Sequence, residues 1–177
     1  MIYMFFADGF EETEAIASWD VLKRAGIEIK TVGLSDTVTG AHGMKIIPEI
    51  TVNEATTENL KGIILPGGMP GTTNLENNEK VQEMIDYCYK NKLLLAAICA
   101  APSVFGKKGL LKGKEAICFP GFEEFLEGAE ISANKTAVSG NVITSKAMGS
   151  AIDFGLAIVE YFMGKEKSEE IKNSIFY

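Results

Sequence analysis

The chain has 177 residues, with 17 Lys plus Arg against 24 Asp plus Glu and a net charge of −7. That length suits one domain, and the acidic balance argues against a nucleic-acid or anionic-membrane surface, where clustered basic residues must neutralise phosphates. The longest apolar run, Leu93 to Pro102, is about half the roughly 20 residues a spanning helix needs. The first residues, MIYMFFADGFEE, turn acidic at once and read as a strand rather than a signal peptide, so a cytoplasmic location is the expectation.

Ile2–Phe6 reads as the first strand. Glu11–Arg24 follows as a helix, with Ala15, Ile16, Trp19, Val21 and Leu22 on its apolar side and Gly26 as its stop. Ile27–Val32 is a second strand, and Val38–Ile47 a hairpin around Ala41-His42-Gly43. Gly62–Leu65 is a short buried strand that runs into Pro66-Gly67-Gly68. Asn77–Lys90 is a helix. Leu93–Ile98 is a strongly apolar strand, and Cys99 with its small neighbours opens the next helix. Lys135–Ser145 is a hairpin around Ser139-Gly140-Asn141. Ala147–Met163 and Glu166–Ser174 are the last helices.

Strands and helices alternate, and the strands at 2–6, 62–65 and 93–98 are apolar on both faces. That is the mark of a parallel sheet covered by helices on both sides. Such sheets place their sites where strands end and loops lead into helices. The stretches to inspect are therefore Ala7–Glu14, Pro66–Thr72 and Cys99–Ser103.

Ala97-Ile98-Cys99-Ala100-Ala101 has the small-x-nucleophile-x-small pattern of a nucleophile elbow, in which small neighbours permit a sharp strand-to-helix turn. A cysteine at a helix N-terminus meets free N–H groups and the positive end of the helix dipole, so a lowered thiol pKa is expected. Gly67 and Gly68 leave the backbone bare for close approach to a ligand. Such a loop can supply one oxyanion donor while Ala100, after the nucleophile, supplies the other. A phosphate loop is disfavoured, since the Gly-Lys-Ser/Thr ending is missing. Among Glu11, Glu12 and Glu14, one carboxyl could face the site; beside a thiolate its pKa would be raised.

Three cysteines, Cys88, Cys99 and Cys118, lack zinc-site spacing and read as free thiols, with Cys88 and Cys118 in the core. No metal site is expected. The one histidine, His42, reads as an exposed turn or interface residue, and Phe119, Phe122 and Phe125 read as packing.

Taken together, Ala7-Asp-Gly-Phe-Glu-Glu-Thr-Glu14, Leu65-Pro-Gly-Gly68 and Ala96-Ala-Ile-Cys-Ala-Ala-Pro102 resemble the ThiJ/PfpI superfamily, in the branch of the Parkinsonism-associated deglycase and its bacterial relatives. Ala151-Ile-Asp-Phe-Gly-Leu-Ala-Ile-Val-Glu160 resembles that branch as well. The resemblance spans essentially the whole chain. It implies a single domain over 1–177 with an α/β, flavodoxin-like three-layer sandwich related to class I glutamine amidotransferases, and a homodimer. It implies an oxidation-sensitive nucleophile at Cys99 and its carboxyl partner at Glu14. It also implies oxyanion donors at Gly68 and Ala100; Gly67, bare backbone in the same loop, is expected against the substrate. Some members carry a histidine before a proline near the cysteine; Phe119 stands there, before Pro120, which counts against Cys–His chemistry.

The function these features suggest is a glutathione-independent glyoxalase or deglycase, acting without a cofactor on methylglyoxal-like aldehydes or glycated side chains. A redox sensor or stress chaperone working through Cys99 oxidation is the alternative. A cysteine protease or amidase is weaker, because one imidazole is all the chain has.

Overall fold

A computed structural model describes residues 1–177. The chain opens with β1 (Ile2–Phe6), α1 (Glu12–Arg24), β2 (Ile29–Gly33), β3 (Val38–Thr39), β4 (Lys45–Ile46), β5 (Ile50–Thr51) and β6 (Gly62–Leu65). Next come α2 (Gly71–Glu76), α3 (Glu79–Lys90), β7 (Leu94–Ile98), α4 (Pro102–Lys107), β8 (Glu115–Ala116), β9 (Glu130–Ile131), β10 (Thr136–Ser139) and β11 (Val142–Ser145). A short 3-10 turn at Met148–Ser150 leads into α5 (Ala151–Met163), and α6 is Lys165–Ser174.

Seven strands form one sheet in the order β10-β11-β7-β6-β1-β2-β5. All neighbours are parallel except the β10–β11 hairpin at one edge. Every residue of β1, β6 and β7 is buried. Successive side chains point to opposite faces, and two cores result. Tyr3, Phe5, Ile63, Leu65, Leu95 and Ala97 pack with Val81, Met84 and Ile85 of α3 and with Phe105 of α4. Ile2, Met4, Phe6, Ile64, Ala96 and Ile98 pack with Leu22 of α1, Phe154 and Ile158 of α5, and Ile171 of α6. Each fully buried large side chain contributes about 1.5–3 kcal/mol of transfer free energy, so continuous apolar strands choose the position with cover on both sides. This is the α/β sandwich that the alternation of elements predicts.

Several boundaries differ from the sequence reading. β2 begins at Ile29 rather than Ile27, because Ile27 closes the turn after α1 through its N–H to the Leu22 carbonyl. The helix expected from Asn77 begins at Glu79, where the Asn78 side chain accepts the Val81 N–H at 3.0 Å. The six-residue α2 ahead of it was not anticipated, since so short a segment shows no helical period. The helix after Cys99 starts only at Pro102, which supplies its first turn without needing an N–H. The hairpin predicted over 38–47 is present as the antiparallel β3–β4 pair. No helix is long and apolar enough to cross a membrane.

The chain runs from β1 outward to β2 on one side and from β6 to β7 on the other. The loops after β1, β6 and β7 consequently end side by side at the carboxyl edge of the sheet, at the reversal point where ligands bind in open α/β folds.

Candidate active site

Cys99 directly follows β7, with φ +66. A non-glycine residue in the left-handed region is uncommon and costs on the order of 1 kcal/mol, so the surroundings must hold it there. Its N–H donates to the Ser145 carbonyl at 2.9 Å, and its carbonyl accepts the Phe119 N–H at 2.7 Å. Both clamps come from segments distant in sequence. The side chain is partly exposed, whereas Cys88 and Cys118 are buried, as expected.

The loop after β6 lies against it. A Cβ on Gly67 would overlap Cys99 Cβ and Glu14 Oε2, so only glycine fits. Gly68 has φ +91, and a Cβ there would meet the Phe10–Glu11 backbone. The N–H groups of Gly68 and Ala100 face the Cys99 sulfur and favour its thiolate form. The N–H of Gly67, assigned above to substrate, donates to Glu14 Oε2 at 3.1 Å.

The acidic stretch divides its labour by helical geometry. Glu11 caps α1: its side chain accepts the Glu14 N–H at 2.6 Å, and its own N–H donates to the Gly67 carbonyl at 2.9 Å. Glu12 and Glu14 are two residues apart, about 200° around the helix, and face opposite ways. Glu12 turns to His42, whose backbone N–H and ring Nδ1 lie 2.7 and 2.8 Å from its two carboxylate oxygens. Burial raises the Glu12 pKa, but the bonds from the His42 ring and from the backbone outweigh it and the net shift is downward. The bond to Glu12 and its charge raise the exposed His42. The one imidazole is thus engaged at Glu12, an outcome that its turn position did not foretell.

Glu14 turns inward and is 1% exposed. Its carboxyl accepts the Gly67 N–H and faces the Cys99 sulfur and the Met148 N–H. Burial pushes its pKa up to about 7; the Glu11 charge adds to the rise, while the bonds from Cys99, Gly67 and Met148 oppose it. The raised carboxyl is as expected. The thiol is not: burial, then the Glu14 charge and its bond to sulfur, push Cys99 up to about 12 against the pull of the Gly68 and Ala100 N–H groups. The lowered thiol expected from a helix start gives way because α4 is six residues long and begins three residues later, while a buried carboxylate stands beside the sulfur. Protonating Glu14 removes its charge and turns its carboxyl into a donor. Cys99 then becomes a thiolate most readily while the shared proton sits on Glu14.

Ser145, Met148 and Phe119 complete this arrangement through backbone groups, which carry no residue-type signal that a sequence reading could detect. Clefts of about 390 and 410 Å³ are lined by other residues, around Asp8 and Ile16.

An elbow cysteine, a buried carboxyl on α1 and a Gly-Gly loop at the carboxyl edge of a parallel sheet define a cysteine-centred α/β protein. The DJ-1/PfpI family model matches residues 1–161, and the chain belongs to that family. Protein DJ-1 homolog B of Arabidopsis thaliana is 37% identical over 171 residues, covering 95% of this chain and 39% of its own length. The chain spans about two fifths of that relative and of the companion homolog A, of which 43% is covered. The glutathione-independent glyoxalase DJR-1.2 of Caenorhabditis elegans is 32% identical over 163 residues, with 91% of this chain and 87% of the relative aligned. Among solved structures, that of oxidized Toxoplasma gondii DJ-1 superposes with a TM-score of 0.95 at 28% identity, covering 99% of this chain and 97% of the other.

Proposed function

We propose that the chain is a cysteine-dependent, glutathione-independent glyoxalase or deglycase acting on methylglyoxal-like aldehydes or their adducts on side chains. The observation that carries this reading is the juxtaposition of buried Glu14 with Cys99 against Gly67, which keeps a proton available at neutral pH beside a sulfur that two N–H groups already face. The similarity to a relative named as a glutathione-independent glyoxalase supports it.

Cys99 sulfur adds to the aldehyde carbon of methylglyoxal, and Glu14 gives its proton to the new alkoxide, forming a hemithioacetal. The Gly68 and Ala100 N–H groups stabilise the charge that develops next to sulfur. The Glu14 carboxylate then removes the hydrogen on the former aldehyde carbon and returns a proton to the neighbouring ketone carbon, while the hemithioacetal hydroxyl proton passes to the former ketone oxygen. One carbon is oxidised and the next reduced, with no outside oxidant, to give a lactoyl thioester. Water hydrolyses it to lactate and restores the thiol. On a hemiaminal or hemithioacetal adduct of a side chain, the Cys99 sulfur instead displaces the amine or thiol at the former aldehyde carbon, Glu14 protonates the leaving group, and the same enzyme hemithioacetal results.

Lactate formation from methylglyoxal without glutathione is the test. Wild type is expected to form lactate, and Cys99→Ser to fall to the uncatalysed background. Equal rates in the two would refute the reading.

A second reading, oxidation sensing, is favoured by the exposure of Cys99 relative to Cys88 and Cys118. Peroxide would take Cys99 to a sulfinate held by protonated Glu14 and the two N–H groups. Peptide mass analysis is expected to find oxidation confined to Cys99, and equal oxidation of all three would exclude it.

A homodimer is part of the proposal. Ile16 of α1 and Met44 between β3 and β4 are exposed apolar side chains lining one cleft, and Ile47 after β4 is exposed as well, a set suited to a second copy.

A further inference from the structure

We propose that Lys135 and Lys146 form an anion-binding subsite beside the reacting centre, so that the aldehydes handled here carry a carboxylate or phosphate group. The substrate part of this inference rests on the proposed aldehyde chemistry; the subsite itself does not.

Lys135 immediately precedes β10 and Lys146 immediately follows β11. The Lys146 N–H donates to the Lys135 carbonyl at 2.9 Å, so the two stand opposite one another at the end of an antiparallel pair. Like charges in that position repel, and an anion placed between them would relieve the repulsion. The ion pairs of the chain involve its amino terminus, Arg24, His42, Lys80, Lys107, Lys108 and Lys167, and neither of these two lysines.

Between the two lysines lies a cleft of about 200 Å³, lined otherwise by Ala147, Gly149 and Ser150. No carboxylate lines it, and its small residues leave room for a tetrahedral or planar anion. The floor is fixed: Ser150 Oγ donates to the Ala147 carbonyl at 2.8 Å and is 2.8 Å from Ser145 Oγ. The same loop builds the reacting centre. The Ser145 carbonyl holds the Cys99 N–H, and the Met148 N–H faces the Glu14 carboxyl. On a surface of net charge −7, with a negative charge shared by Glu14 and Cys99, an anionic substrate needs local positive charge to approach. These two lysines supply it one loop away from the sulfur.

Two measurements on the full chain test this. Inorganic phosphate is titrated while the Gly149 and Ser150 amide resonances are followed. Saturable shifts are expected in wild type, and their loss in the Lys135→Gln/Lys146→Gln double variant. Shifts that are absent, or that persist in the double variant, would overturn the subsite. Both lysines are exposed, so the variant retains its core.

The second measurement compares alkylation of Cys99 by anionic iodoacetate and neutral iodoacetamide. The double variant should lower the iodoacetate-to-iodoacetamide rate ratio by about threefold or more, the ratio cancelling any change in thiolate fraction, and salt should lower the wild-type ratio. An unchanged ratio would sever the subsite from Cys99. Whichever of acetate or phosphate protects Cys99 from iodoacetate at the lower concentration names the anionic group, and protection by neither overturns the proposal. Neither arm requires turnover, so failure to make lactate would reject the glyoxalase reading and leave these results standing.

Discussion

Replacing Glu14 by Gln should make the protein more stable while removing its proposed activity. In the folded chain the Glu14 pKa is raised from 4.5 to about 7, chiefly by burial. A raised acid binds its proton more tightly when folded than when unfolded. Stability therefore falls as pH rises through the window from 4.5 to about 7, and the cost is complete above it. At about 1.36 kcal/mol per pH unit, the burden is about 3 kcal/mol at pH 8 and near zero below pH 4.5. Gln keeps the shape and an oxygen that can accept the Gly67 N–H, but carries no charge to desolvate. Urea unfolding of both proteins at several pH values measures the difference, which cancels other titrating groups. Glu14→Gln is expected to be about 3 kcal/mol more stable at pH 8, equivalent to a melting temperature higher by about 8 °C in a chain of this size. The gap should close towards pH 4.5. Equal stability at pH 8, or a gap that does not change with pH, would refute the assignment of a desolvated carboxyl to this position. A stabilising substitution at a site residue is the expected signature of a group kept for chemistry rather than for folding.

Gly67→Ala should place a methyl group into Cys99 Cβ and Glu14 Oε2. A stability loss of about 1–3 kcal/mol in thermal unfolding, and a lactate rate reduced by about 100-fold or more, are expected; retention of wild-type rate would show that the loop moves freely. For the homodimer, sedimentation should give a species of twice 19.2 kDa. Ile16→Asp combined with Ile47→Asp should return the monomer, and a wild-type monomer at high concentration would refute the dimer.

The fully apolar strands at 2–6, 62–65 and 93–98 announce a parallel sheet covered on both faces, because no other position buries both sides of a strand. Cys99 among small residues, and the Gly67-Gly68 pair after a strand, mark where a sharp turn and a bare backbone must lie. These are local steric and hydrophobic properties, carried by a residue and its near neighbours, and the sequence alone decides them. Its residues left Glu11, Glu12 and Glu14 as equal candidates, and resemblance alone picked Glu14. Only the packed structure turns Glu14 inward to sulfur, Glu12 outward to His42 and Glu11 into a cap, since that depends on which face of α1 meets the sheet. The direction of the Cys99 pKa likewise belongs to the tertiary structure. Burial and the neighbouring Glu14 charge act through space across 85 residues of chain, and they outweigh the nearby N–H groups that the sequence brings to mind. The Ser145, Met148 and Phe119 backbone contacts are equally invisible beforehand, because peptide groups are the same in every residue and only the fold chooses which of them meet.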